Sequence, residues 1–363
     1  MRELRDILAG WHALSERGER GVLASVVFAS GSTYRRPGAR LLVMPDDQMI
    51  GLLSGGCLEG DLLEHAGRVR LGNHPERIRY DATGDDDIVW GLGLGCAGIV
   101  DVLLEPVEAD RPGPLAWLEA WLDARRTGAF ATDLSEDGLA RRWARHPDGR
   151  IEGSEPAPAG LARLLEETVA SGRTRRSQQD DLDLVLEIAR PPRRLVVFGA
   201  GPDADPVVRL AALLGWDVSV VDGRPAYARS ERFPDAVVHC VAPEEAVRAV
   251  GVDDQTYALV MTHHYLHDRA VLADLLLSPV PYIGLLGPKQ RASDLLAELA
   301  TQGVVPSEEE AARLHAPAGL DIGGEGPEAI AVALIAEVQA VAEGRPGTWL
   351  RDRKGPIHEP GEI

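Results

Sequence analysis

One stretch near the middle of the chain constrains the fold more than any other: Leu195-Val-Val-Phe-Gly-Ala-Gly-Pro-Asp-Ala204. An apolar strand runs directly into G-x-G-x-x-A and then into a helical pattern. Gly199 permits the tight turn, Gly201 lets a pyrophosphate approach the backbone, and Ala204 keeps helix and strand close. Asp222 lies 21 residues beyond Gly201 at the end of the next apolar run, where a carboxylate can meet a ribose hydroxyl. Further strands are expected at residues 218–221, 236–240, 258–261 and 282–285, alternating with helices. Ser307 and Glu310 form a capping box, and Gly326-Pro327 opens a last helix that Gly344 closes.

The pattern predicts a parallel α/β domain of the Rossmann kind. Its candidate NAD(P) contacts are Gly199, Gly201, Pro202, Asp203, Asp222 and Arg224. Asp222 repels a 2′-phosphate while Arg224 offers it a partner, and Pro202 and Pro206 remove two backbone donors from the turn. The fold does not fix occupancy, and dinucleotide binding stays open. His263, His264 and His267 follow the fourth strand, at the edge where such sheets bind ligands. Their spacing on a loop becoming a helix cannot aim all three at one point, so His263 is taken as a ligand contact rather than a metal ligand.

The first half of the chain reads differently. Leu4, Ile7, Leu8, Trp11 and Leu14 make one helical face, strands are expected at 22–29, 39–44 and 49–53, a helix at 58–72 and a strand at 99–104. Residues 128–171 resemble a degraded copy of residues 21–66, most clearly where Met44-Pro-Asp-Asp-Gln-Met-Ile-Gly51 matches His146-Pro-Asp-Gly-Arg-Ile-Glu-Gly153. Residues 172–193 are polar and then Pro-rich, with one strand at 182–188, and suggest a boundary. The expected division is an α+β domain over 1–185, a Rossmann-like domain over 186–345 and a tail over 346–363.

The formal net charge of −19 argues against nucleic acid, and no apolar run is long enough to span a membrane. Cys57, Cys96 and Cys240 form no C-x-x-C motif, which fits a reducing, cytoplasmic setting. Cys240 is expected inside a strand as a small core residue. The arginines at 173, 175 and 176 read as a solvated loop.

Three Gly-rich loops carry the chemistry. Ser54-Gly-Gly-Cys-Leu-Glu-Gly60 places Cys57 at a helix start, where the positive end of the helix dipole favours a thiolate. Gly55 and Gly56 clear side chains from the approach to the sulfur. Gly91-Leu-Gly-Leu-Gly-Cys-Ala-Gly98 holds Gly95 and Cys96 in a second such loop. Gly31-Ser-Thr-Tyr-Arg-Arg-Pro-Gly38 supplies Ser32, Thr33, Arg35 and Arg36, groups suited to a phosphate or oxyanion. The plainer alternative is that these glycines make tight turns and the cysteines fill space.

Taken together, GSTYRRPGARLLV, GLLSGGCLEGDLLEHA, YDATGDDDIVWGLGLGCAGIVDVLLEP and, later, RLHAPAGLDIGGEGPEAIAVALIAEV resemble the xanthine dehydrogenase accessory factor family (XdhC/CoxI). The resemblance spans roughly residues 10–105 and 194–338. It implies a protein that binds molybdenum cofactor, supports its sulfuration and delivers it to a molybdenum hydroxylase such as xanthine dehydrogenase or carbon monoxide dehydrogenase. Cys57 and Cys96 match that family's two cysteines, with Cys57 the implied metal ligand, although Ala97 stands where the family has glycine. The expected partners are the large subunit of the hydroxylase and a cysteine desulfurase, and the expected assembly is a homodimer. Two other classes stay open: an NAD(P)-dependent oxidoreductase, and a scaffold that docks a molybdoenzyme without touching cofactor.

Overall fold

The computed structural model describes residues 2–83, 98–179, 181–355 and 357. The chain divides into two units, residues 3–191 and residues 192–353.

The first unit is two antiparallel sheets built to one plan. α1 (Arg2–Arg17) leads into β1 (Gly21–Gly31), β2 (Arg40–Val43), β3 (Met49–Gly51), α2 (Glu59–Gly72), β4 (Glu76–Asp81) and β5 (Gly98–Val107). After α3 (Leu115–Asp123) come β6 (Gly128–Asp133), β7 (Arg142–Arg145), β8 (Ile151–Gly153), α4 (Leu161–Ser171), β9 (Arg175–Gln179) and β10 (Leu182–Ala189). The strand orders are β3-β2-β1-β5-β4 and β8-β7-β6-β10-β9, so each strand of one sheet has a counterpart in the other. The likeness reaches individual turns. Met44 N–H donates to Gln48 O at 2.8 Å and His146 N–H to Arg150 O at 2.9 Å, with left-handed φ at Asp47 (64°) and Gly149 (87°).

β1 is buried on both faces, which is why it reads as an apolar run instead of alternating. Val22, Ala24 and Val26 pack with Leu62, Ala66 and Val69 of α2, while Leu23 packs with Ile7, Leu8, Trp11 and Leu14 of α1. Val27, Leu103, Leu134 and Val185 join the two sheets. Buried ion pairs do the same. Arg142 of β7 meets Glu105 of β5 at 2.5 Å, and Arg40 of β2 meets Glu187 of β10.

Three sequence expectations change here. β10 forms where a strand is expected, but β9 precedes it and both belong to the second sheet, so the division falls at Pro191/Pro192 and not at 185/186. Arg175 and Arg176 lie in β9 and pair with Glu167 (2.9 Å) and Asp183; they are not a solvated loop. β4 has no place among the expected strands, because ERIRYD is a polar edge strand paired on one side only.

The second unit is a six-stranded parallel sheet in the order β13-β12-β11-β14-β15-β16. Its elements are β11 (Arg194–Phe198), α5 (Ala204–Leu213), β12 (Asp217–Val221), β13 (Val237–His239), α6 (Ala246–Val250), β14 (Thr256–Val260), α7 (Tyr265–Leu276), β15 (Tyr282–Leu285), α8 (Lys289–Thr301), α9 (Glu308–Ala312), β16 (Leu314–His315) and α10 (Pro327–Ala342). Leu195 and Val197 face α5 and α10, and Val196 and Phe198 face α7 and α8. The Ser307–Glu310 capping box forms at α9 as expected. Cys240 does not sit in a strand: β13 ends at His239 and Cys240 is exposed.

Candidate functional site

The Gly-rich loops of the first unit converge on one end of its first sheet. Gly31 pairs with Gly98 and Asp81 with Ile99, so the loop after β1 and the connection over residues 82–97 leave the sheet together. Gly51 pairs with Leu41, which sends the chain toward Cys57 out at the same end. A Cβ at Gly98 would lie 2.6 Å from Ser30 O and 2.7 Å from Ser32 O, so only glycine admits this crossing. Glu3 ties the group from below: Oε2 accepts from Arg35 Nη2 at 2.5 Å, and Oε1 accepts from Leu52 N–H at 2.9 Å.

Ser54 builds the cysteine loop. Its buried hydroxyl accepts from Gly56 N–H and Leu58 N–H, both at 3.1 Å, and donates to Glu59 Oε2. Glu59 Oε1 in turn accepts from Ser54 N–H at 3.1 Å. Cys57 is exposed, immediately before the Leu58 N-cap of α2. Gly56 has φ +106°, which demands glycine. At Gly55 a Cβ would meet nothing within 4 Å. Packing among the described residues does not require that glycine.

In the loop before β2, Ser32 is exposed and Thr33 Oγ1 donates to Arg35 O at 3.1 Å. Arg35 is neutralised by Glu3, whereas Arg36 Nε is buried with no hydrogen-bond partner. No ion pair of Arg36 with a carboxylate like that of Arg35 is found among the described residues. Gly95 and Cys96 lie outside the described residues. The counterpart end of the second sheet lacks the thiol and the long connection. Its loop before α4 reads Ser154-Glu-Pro-Ala-Pro-Ala-Gly160 without a thiol, and β9 and β10 are joined through residues 180–181 alone.

In the second unit the expected contacts sit at the carboxyl end of the sheet, but they engage one another. Gly199 has φ +121° and abuts the Met261 carbonyl. Asp222 accepts from Ala200 N–H (2.8 Å), Arg224 N–H (2.9 Å), Arg224 Nε (2.9 Å) and Arg224 Nη2 (2.7 Å). Burial opposes its ionisation, but these hydrogen bonds outweigh burial and hold the carboxyl below the usual range. Four donors fill a carboxylate's acceptor positions, so Asp222 is committed to the glycine turn instead of a ribose. Arg224 stacks on Tyr227 at 4.0 Å, and Arg232 donates to Ala200 O at 2.8 Å. At the start of α5 stands Asp203, with its Oδ2 2.7 Å from His263 Nε2. A carboxylate thus occupies the place where a pyrophosphate would need positive potential. Pro202 follows Gly201 and withholds a donor there. His264 and His267 stack on each other at 4.0 Å, and no group of three or more potential metal-ligating side chains forms among the described residues.

Sequence reasoning does not find Glu3, Ser54, Glu59 or Arg232. A serine five residues before a glutamate at a helix start is a usable signal for Ser54 and Glu59; Glu3 and Arg232 act across the fold and leave none.

An antiparallel unit with glycine loops gathered at one sheet end, followed by a parallel Rossmann unit, defines a two-unit α/β protein with a loop-built candidate site. Residues 14–81 match the XdhC and CoxI family, and residues 195–338 match the XdhC Rossmann domain. The chain belongs to the XdhC and CoxI family. It is 34% identical over 338 residues to a probable xanthine dehydrogenase subunit of Bacillus subtilis, covering 90% of this chain and 94% of that one. It is 24% identical to the molybdenum cofactor insertion chaperone PaoD of Escherichia coli, covering 89% and 84%. A crystal structure described as a xanthine dehydrogenase from Bacillus halodurans superposes with TM-score 0.79 at 31% identity, covering 95% and 97%.

Proposed function

We propose that this chain is an accessory protein, not an enzyme, that holds molybdenum cofactor at the Cys57 end of the first sheet and passes it to a molybdenum hydroxylase. The observation that carries the reading is the exposed Cys57 thiol in a loop held by Ser54 and Glu59, with the Ser32–Arg36 loop leaving the same end of the sheet. The relatives named for xanthine dehydrogenase and for cofactor insertion support it. The cofactor offers exchangeable ligands on a metal that thiolate suits, and a phosphate that a guanidinium suits. In this reading Cys57 binds the metal end, Arg36 and Ser32 bind the phosphate end, and Ser54 and Glu59 fix the thiol's place. Sulfuration calls for a cysteine desulfurase as sulfur donor. The Rossmann crevice is assigned no dinucleotide, because Asp203 and the committed Asp222 disfavour one. Purifying the protein from cells that make the cofactor and assaying molybdenum and pterin per chain tests this directly. Absence of both would leave the scaffold reading.

A further inference from the structure

The two buried arginine–glutamate pairs between the sheets are counterparts, yet they are used differently. Register fixes the equivalence: Arg40 lies opposite Ser25 in the first sheet, and Arg142 lies opposite Thr132 in the second. The preceding loops end alike. Gly38 N–H donates to Val26 O at 3.0 Å and Ala140 N–H to Asp133 O at 2.9 Å, and both residues have left-handed φ, 93° and 70°.

Arg142 gives both terminal nitrogens to Glu105, at 2.6 and 2.5 Å, and its Nε to Thr132 Oγ1 at 3.1 Å. Every donor edge is used. Arg40 instead divides itself: Nη2 goes to Glu187, and Nη1 goes to the Gly38 carbonyl at 2.8 Å. Its Nε and the adjacent Ser25 Oγ are both buried with no partner, although Arg40 is 7% exposed and Ser25 5%. Buried donors left unmade are costly and rare. Swinging Arg40 into the pose of Arg142 would satisfy Nε on Ser25, but it would release Gly38.

We propose that Arg40 and Glu187 are positioning residues, through which the second sheet holds the 31–38 loop in the shape that receives its ligand. Glu187 comes from the half that carries neither the cysteine nor the long connection, so that half serves the other as a buttress. The side chain of Glu187 also lies 3.6 Å from where a Cβ of Gly38 would stand, so the loop end rests directly on this pair. That the ligand is molybdenum cofactor rests on the reading above; that the pair fixes the loop does not.

The counterpart pair supplies the control. Glu187→Gln and Glu105→Gln each weaken one buried inter-sheet pair of the same kind. Hydrogen exchange in residues 31–39 should accelerate at least tenfold in Glu187→Gln and stay within twofold of the original in Glu105→Gln. Pterin retained per chain should fall at least threefold in Glu187→Gln alone. Equal changes in both variants would reduce the pair to ordinary structure, and unchanged exchange in Glu187→Gln would overturn the proposal. If Glu187→Gln does not fold, Arg40→Lys against Arg142→Lys asks the same question, since lysine lacks the fork needed to serve two acceptors. Should the unmodified protein retain no pterin, the cofactor reading fails, while the exchange contrast still decides the role of the pair.

Discussion

His263 Nε2 stands 2.7 Å from Asp203 Oδ2, across the mouth of the glycine turn that gives the second unit its character. The turn is built as a dinucleotide site is built, and its own carboxylate sits where phosphate charge would go. Calorimetric titration should find NAD and NADP both weaker than about 1 mM, a free energy of only about −4 kcal/mol. Asp203→Ser should bind them more tightly than the original chain. Micromolar binding to the unaltered protein would refute the closed-turn reading.

Asp222 should be a stabilising residue with an acid signature. Its folded pKa is depressed, so its contribution is present above the unfolded value near 4 and is lost as pH falls through the lower folded value. Asp222→Asn should therefore cost about 1–3 kcal/mol at pH 7 by urea unfolding. The gap between the two proteins should narrow as pH falls below about 4. A constant gap would mean that the charge of Asp222 is irrelevant.

Cys57 and Cys240 are both exposed, so serine at either position should leave the unfolding midpoint unchanged. Cys57→Ser should nonetheless retain little pterin and fail to activate a molybdoenzyme, whereas Cys240→Ser should behave as the original does. Full activation by Cys57→Ser would remove the thiol from the mechanism.

Arg36→Ala should weaken cofactor retention tenfold or more, the loss of one charge-assisted contact of about 1.5–3 kcal/mol. Stability should hold or rise slightly, because a buried unpartnered Nε is removed. Arg35→Ala acts differently: it frees Glu3 and should show first as faster exchange at Leu52 N–H. Identical effects from the two substitutions would contradict the division of labour.

Ser54→Ala removes the acceptor of two backbone N–H groups and should cost about 1–2 kcal/mol, read by thermal unfolding. A neutral result would show that Glu59 alone shapes the loop.

The glycine turn at 199–201 and the helices with caps are legible because local chemistry dictates them. Strands β1 and β2 are legible from apolar runs; β4 is not, since Arg77 and Arg79 answer to charges that only the fold supplies, both reaching Asp101. Likewise the repeat shows in the sequence chiefly at the turns 44–51 and 146–153, where geometry restricts residue choice. In the site, Cys57 and Arg36 can be named from the chain alone. Glu3, which binds Arg35 across 32 residues, cannot. A polar contact between distant segments leaves no periodicity behind.

The second sheet closes β9 to β10 through residues 180–181, where the first needs residues 82–97 for the same pairing. The same strand pairing is made with two residues between the strands in one sheet and with sixteen in the other. By loop-closure entropy alone, three doublings of length cost roughly 2 kcal/mol. On chain length alone, the first sheet pays more closure entropy than the second for the same pairing. Replacing residues 82–97 with a two-residue link should therefore raise the stability of the first sheet, read as a higher midpoint of urea unfolding.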